Sequence, residues 1–238
     1  TSGGPGPALD LWQVRLDEVE QDRRLEACLD EAELARAARF HFQRDSSRFV
    51  MSRATLRHIL AHYVGGRPDG IRFGYGAAGK PFLPDHEDFH FNLSHADHLL
   101  LVGVSHGRHL GVDVEPIPPD PVLEETSPLV LSAPESRMID QLNGMERREW
   151  FARLWTRKEA YIKADGRGMG LPLELIDVMT APDRVWLREE RSGSWTASSR
   201  WSLRTLPTEP GYAAAVAAEG HEWRLRVIDW PGALRLAG

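Results

Sequence analysis

The chain has a single cysteine, Cys28, among 238 residues. An internal disulfide is thereby excluded, as is every cysteine-based zinc motif, and a reducing, cytoplasmic setting is the expectation. Long apolar runs are missing too. The longest, Leu99 to Val104, is interrupted by Gly103 and falls far short of the roughly 18 residues that a membrane span needs. There is no surplus of positive charge, since 29 basic residues face 35 acidic ones, which argues against bulk nucleic-acid binding. The first eight residues, TSGGPGPA, have neither a basic start nor an apolar centre, so they read as a flexible leader rather than a signal peptide. What is present, 42% hydrophobic and 27% charged residues, suits a folded, soluble protein of one large domain or two smaller ones.

Beyond the leader, LWQVRL (11–16) alternates apolar and polar residues as a strand does, and Asp30 followed by Glu33 resembles a capping box opening a helix. Apolar residues then recur at helical spacing from Leu34 to Tyr63. This predicts two helices broken near Asp45-Ser46-Ser47, the second stopped by Gly65 and Gly66. IRFGYG (71–76), FHFNLSH (89–95), LLLVGVS (99–105) and LGVDVE (110–115) read as four short strands of an antiparallel meander. Five prolines between 116 and 128 mark the stretch 116–134 as a linker or irregular crossover. Past it, 135–143 and 146–165 read as helices, followed by the strands VWLREE, RWSLRTL, YAAAVAA and WRLRVIDW. The order of the first half is thus repeated, although sequence identity between the halves is low. The expected fold class is α+β, a pseudo-dimer of two similar α+β halves, each with helices packed on a small antiparallel sheet. The leader is 1–8, the N-terminal half 9–116 and the C-terminal half 117–238.

Several residues could carry chemistry. In LGVDVE the strand period puts Leu110, Val112 and Val114 on one face and Gly111, Asp113 and Glu115 on the other. Two carboxylates roughly 6–7 Å apart suit a hard divalent cation such as Mg2+, or equally the solvated face of an edge strand. On WFARLWTRKEAYIKADGRG (150–168), Phe151, Leu154, Trp155 and Ile162 form an apolar stripe with Glu159 and Lys163 at its flank. Their spacing suits a surface ion pair as well as a site. Lys158 falls within the stripe, where a lysine must snorkel, pair or meet an anion, and snorkelling is the commonest outcome. In FHFNLSH, His90, Asn92 and Ser94 oppose Phe89, Phe91 and Leu93, and His95 closes the strand. Six histidines between 86 and 109 raise a zinc reading, but no helical spacing makes them converge. GAAGKPF is a tight turn able to present Lys80 and free N–H groups to a phosphate, or simply a hairpin. Arg36, Arg39, Arg44, Arg48, Arg53 and Arg57 stud the early helices as a basic face.

Taken in order, GKPF, NLSH, GVDVE and WTRKEAYIKADGRG resemble the motif series of the Sfp-type 4'-phosphopantetheinyl transferases: a G-K-P turn, an N-x-S-H strand end, a G-x-D-x-E strand and a W-x-x-K-E-x-x-x-K helix. The resemblance implies a pseudo-dimeric fold with coenzyme A in the cleft between the halves. It also implies transfer of the coenzyme's 4'-phosphopantetheine arm to a serine of an apo acyl, peptidyl or aryl carrier protein, releasing adenosine 3',5'-bisphosphate. The family's metal carboxylates match Asp113, Glu115 and Glu159, its helix lysine matches Lys163, and its phosphate and adenine contacts match Lys80, Pro81, Ser94 and His95. Arg48 and Arg53 resemble positions that meet the coenzyme A phosphates. Mg2+, with Mn2+ as an alternative, is the implied cofactor, and either Glu159 or Glu115 would take the serine proton. The chain is expected to be a monomer without nucleic-acid or membrane partners. A metal-dependent phosphohydrolase and a non-catalytic carrier-binding module are the rivals. The first is disfavoured by the GKP and NxSH elements, the second by the completeness of the acid and lysine set.

Overall fold

Alternation of buried side chains along each strand sorts the chain into four layers, with a helix on the outside of each of two facing sheets. The computed structural model describes residues 8–18, 26–179, 181, 183–188 and 193–230; residues 1–7 of the expected leader 1–8 lie outside them, and its last residue, Ala8, instead opens the first strand. One sheet is built from β1 (Ala8–Arg15), β4 (Phe89–Ala96), β5 (Leu99–His106) and β11 (Arg224–Asp229), in the order β11-β1-β5-β4. The second uses β6 (Leu110–Pro116), β7 (Ile176–Asp177), β8 (Arg184–Arg188), β9 (Trp195–Leu206) and β10 (Tyr212–Glu219), in the order β6-β10-β9-β8-β7. A small hairpin pairs β2 (Gly74–Tyr75) with β3 (Pro81–Phe82).

Three apolar clusters hold the layers together. Leu9, Leu11, Leu101, Val112, Val114, Ala214 and Val216 fill the space between the sheets. Trp12, Val14, Leu100, Val102, Phe89 and Phe91, on the opposite face of the first sheet, meet Leu56, Ile59 and Leu60 of the helix α2 (Gln43–Val64). Ala215, Ala217, Trp201 and Leu203, on the outer face of the second sheet, meet Phe151, Leu154 and Tyr161 of α5 (Gly144–Asp165). Each strand has therefore divided its two faces between two cores, as the two-residue period requires.

Several sequence expectations hold and several are corrected. Asp30 and Glu33 do form a capping box on α1 (Glu31–Ala37), and Gly65 ends α2 at a φ of 72°. The helix break falls at 38–42 rather than at Asp45-Ser46-Ser47, which form the first turn of α2. Asp45 suits the positive end of the helix there, and the Ser46 hydroxyl donates to the Ala37 carbonyl at 2.9 Å. Of IRFGYG only Gly74 and Tyr75 pair as strand. The proline-rich crossover contains a helix, α3 (Asp120–Val130), followed by α4 (Ala133–Ile139). Its Pro121 lies in the first turn, where no N–H is needed. The expected meander ends at β5, because β6 crosses to pair antiparallel with β10 in the other sheet, while β11 returns to run parallel to β1. Each sheet thus takes one strand from the other side of residue 116, β11 in the first and β6 in the second. Lys158 does not snorkel. It is fully buried, its ammonium 2.5 Å from the equally buried Glu135 and donating to the Val130 and Leu173 carbonyls, which satisfies all three of its donors.

Candidate active site

The edge strands of the two sheets, β4 and β6, meet α5 at one place, and a glycine permits it. A Cβ on Gly111 would stand 2.2 Å from the Ala160 carbonyl oxygen and 2.4 Å from the Ala164 amide nitrogen. Only hydrogen fits, so β6 lies directly on the last turns of α5. Two residues on, Asp113 faces the same helix. Across the other edge, the Val112 N–H donates to Asn92 Oδ1 at 2.8 Å, docking β4 onto the backbone of β6. Sequence reasoning placed Gly111 and Asn92 on their strand faces but gave neither a role; a glycine beside paired strand carboxylates is the one signal that points to close approach.

Asp113 is 1% exposed. Its Oδ1 accepts from Lys163 Nζ at 2.6 Å and from Ser94 Oγ at 2.9 Å, and Lys163 also donates to Ser94 Oγ at 3.0 Å. A strand from each sheet and the helix are joined in this triangle. Asp113 Oδ2 is buried and has no hydrogen-bond partner, a costly state for a carboxylate oxygen unless something else meets it. Burial, with Asp113 and Glu159 nearby, pushes the Glu115 carboxyl up to about 7 despite Lys163. Burial and Asp113 raise Glu159 as well. Three mutually repelling carboxylates with one orphaned oxygen form a hard-oxygen donor set that suits a divalent cation. Among the described residues no three such groups are gathered closely enough to hold an ion as they stand, and the Lys163 ammonium occupies the near side of Asp113.

The raised Glu115 gives a stability signature. Its carboxyl stays protonated in the folded chain up to about pH 7 and ionises near 4.5 once unfolded. Its contribution is therefore full below the unfolded value and is lost as pH rises through the folded one. Metal-free Glu115→Gln is expected to melt like wild type near about pH 5 and several degrees higher near about pH 8. Identical melting at both would show that Glu115 is not crowded by the other acids.

The remaining expected contacts surround this centre. Lys80 reaches from the β2–β3 turn to donate to the Leu110 carbonyl at 2.8 Å and the Lys163 carbonyl at 2.6 Å, pinning the turn to β6 and α5; burial lowers its ammonium to about 8. Lys80 and Pro81 line a cavity of about 460 Å³ with Phe82, His90, His109 and Asp165. His95 stands at the other end of β4, exposed on one side, and the surrounding protein together with Lys163, Arg48 and Arg36 lowers its pKa. Arg48 is half-buried, 3.6 Å from Asp97. Arg53 lies deeper, its Nε donating to Glu33 at 2.6 Å and its guanidinium over Phe73, with Nη2 buried and lacking a hydrogen-bond partner.

Known proteins carry the same pattern. Residues 12–106 match the family described as 4'-phosphopantetheinyl transferase, N-terminal, and residues 109–217 the 4'-phosphopantetheinyl transferase superfamily. The 4'-phosphopantetheinyl transferase HetI of Nostoc sp. is 37% identical over 218 residues, 90% of this chain and 89% of its own. The 4'-phosphopantetheinyl transferase Sfp of Bacillus subtilis is 26% identical over 202 residues, 84% of this chain and 86% of its own. A holo-(acyl-carrier-protein) synthase from Bacillus anthracis, solved in complex with CoA (3',5'-ADP), is 21% identical over 47% of this chain with a TM-score of 0.35, too slight a likeness to add to these. With both halves matched and a relative above 30% identity along nearly its whole length, the chain belongs to the 4'-phosphopantetheinyl transferase superfamily, enzymes that move phosphopantetheine from coenzyme A to apo carrier proteins.

Proposed function

We propose that the transfer is carried out where β4, β6 and α5 meet, with Asp113, Glu115 and Glu159 as ligands of a divalent cation, Mg2+ or in its place Mn2+. The observation that supports this most is the Ser94–Asp113–Lys163 triangle beside two carboxylates of raised pKa. The cation would neutralise the coenzyme's pyrophosphate and polarise the phosphorus under attack. Lys163, one turn beyond Glu159, brings its ammonium to the same phosphates and offsets charge growing on the departing adenosine 3',5'-bisphosphate. Glu159, on the same face of α5 as Lys163, takes the proton of the carrier serine. Ser94 orients Asp113 and Lys163 toward each other.

The nucleotide end is assigned to the same edge of β4. Ser94 lies four positions beyond His90, about 13 Å along the strand, a span that suits adenosine between the cavity beside Pro81 and the carboxylates. Lys80 frames that cavity, Arg48 and His95 meet phosphate at the opposite end of β4, and Arg53 braces the helix carrying Arg48 while offering Nη2. The chain is read as a cytoplasmic monomer, supported by its having a single cysteine and by two sheets that complete each other within one chain. No described helix is long and apolar enough to cross a membrane.

The test is to mix the protein, coenzyme A, Mg2+ and an apo carrier and weigh the carrier. Transfer adds the mass of the arm, whereas free adenosine bisphosphate with an unchanged carrier would indicate hydrolysis and overturn the reading. In the same assay His95→Ala is expected to raise the coenzyme A concentration at half-maximal rate more than it lowers the maximal rate, and to narrow discrimination against dephospho-coenzyme A. Full retention of that discrimination would remove His95 from the phosphate.

A further inference from the structure

β4 and β5 are joined by a two-residue turn, Ala96 pairing with Leu99 across Asp97 and His98. Asp97 has a φ of 50°, the only positive value at a non-glycine among the described residues. Aspartate tolerates such a position, but glycine and asparagine fill it at least as readily, so the turn does not by itself require a charge here. The side chain has two partners from opposite parts of the fold. Arg48 of α2 lies 3.6 Å from one oxygen, and the Tyr212 hydroxyl, on the first residue of β10, donates to the other at 3.0 Å. Tyr212 is paired with Pro116 at the end of β6, so this bridge ties the β4–β5 turn and α2 to the second sheet. Tyr212 is itself held: its ring meets the edge of His98 at 5.7 Å, His98 Nε2 lies 2.5 Å from Glu209, and Glu209 pairs with Arg15.

We propose that Asp97 is a positioning residue that holds the Arg48 guanidinium at the coenzyme A phosphates, anchored from the second sheet by Tyr212. The inference rests on the assignment of Arg48 to those phosphates. An arginine on a long, flexible side chain loses much of its rotational freedom when it binds an anion, and a fixed carboxylate on its other flank pre-organises it. Asp97 makes no contact with coenzyme A in this scheme and acts through Arg48 alone.

The experiment compares wild type, Asp97→Asn, Arg48→Ala and the double variant by KM for coenzyme A, KM for the carrier and kcat. Asparagine tolerates the left-handed turn, and Asp97→Gly, which removes both the carboxylate and the backbone constraint, is the folding control. Asp97→Asn and Asp97→Gly are expected to raise KM for coenzyme A about threefold to fivefold, with kcat and the carrier KM unchanged, and Asp97→Asn should add nothing to Arg48→Ala. Tyr212→Phe should shift the same constant in the same direction by less. Tyrosine-ring NMR should show the Tyr212 phenol, raised by burial and by its bond to Asp97, titrating nearer its ordinary value in Asp97→Asn. A lowered or unchanged KM in Asp97→Asn, or an equal effect in the Arg48→Ala background, would overturn the positioning role while leaving Arg48 at the phosphates. An Arg48→Ala enzyme of wild-type KM would overturn the phosphate assignment and the proposal with it, and an unmoved Tyr212 titration would show that the bridge is not formed.

Discussion

Asp113→Asn is expected to reduce transfer by roughly 10³-fold or more at saturating coenzyme A, with the fold intact. The substitution keeps the shape of a side chain that is 1% exposed and keeps an acceptor for Ser94 and Lys163. It removes the charge that draws a cation to the orphaned Oδ2 and that raises both Glu115 and Glu159. Two measurements separate this from simple damage. The melting temperature of the metal-free variant should not fall at neutral pH, because a repulsion has been relieved. Glu115 should also titrate nearer the ordinary carboxylate range. A variant that transfers at near wild-type rate would reduce the β6 carboxylates to a solvated strand face.

Glu159 and Lys163 are expected to fail differently, although both sit on one face of α5. Glu159→Gln should abolish transfer and weaken Mg2+ binding, since it removes both a ligand and the base. Lys163→Ala should bind Mg2+ at least as well as wild type, because it withdraws the ammonium from Asp113 Oδ1, where the two lie 2.6 Å apart. Its transfer rate should nevertheless drop by about 10²–10³-fold for loss of one electrostatic stabiliser. Titrating Mg2+ at fixed coenzyme A distinguishes the two. The alternative, an ion pair on a helix surface, would contribute about 0.3–0.5 kcal/mol to stability and nothing to rate; two variants with near wild-type turnover would establish it.

The parts of the fold that depend on local periodicity could be read from the residues. Alternation in LGVDVE and FHFNLSH assigns each side chain to its face, and the capping box at Asp30 and the glycine at 65 mark helix ends, because these signals lie within a few residues of what they control. Pairing partners could not be read this way. Nothing within LGVDVE says that it leaves its sequence neighbour β5 for β10, a strand about a hundred residues on, and nothing in Lys158 points to Glu135 on another helix. Prolines misled where they are tolerated, Pro121 in a first helical turn and Pro128 near a last one. At the site, Asp113, Glu115, Glu159 and Lys163 were legible as candidates for chemistry. That Ser94 from the opposite sheet closes a triangle with two of them, or that Lys80 is tied to two carbonyls, is a product of tertiary contact alone.

The exchange of edge strands sets the order in which the chain can assemble. Ala8 pairs with Arg224 and Gln13 with Asp229, so the sheet begun by the earliest described residues is finished only after more than two hundred further residues have been made. The other sheet receives β6 early and must keep that strand waiting for β10. Contacts so distant in sequence make for slow folding and a long interval with unprotected strand edges, when chaperone capture and aggregation compete. The same interlock offers a practical handle. A chain cut within the crossover between β6 and α3 gives two fragments, each holding a strand that the other's sheet requires, and activity regained on mixing them would report their reunion directly.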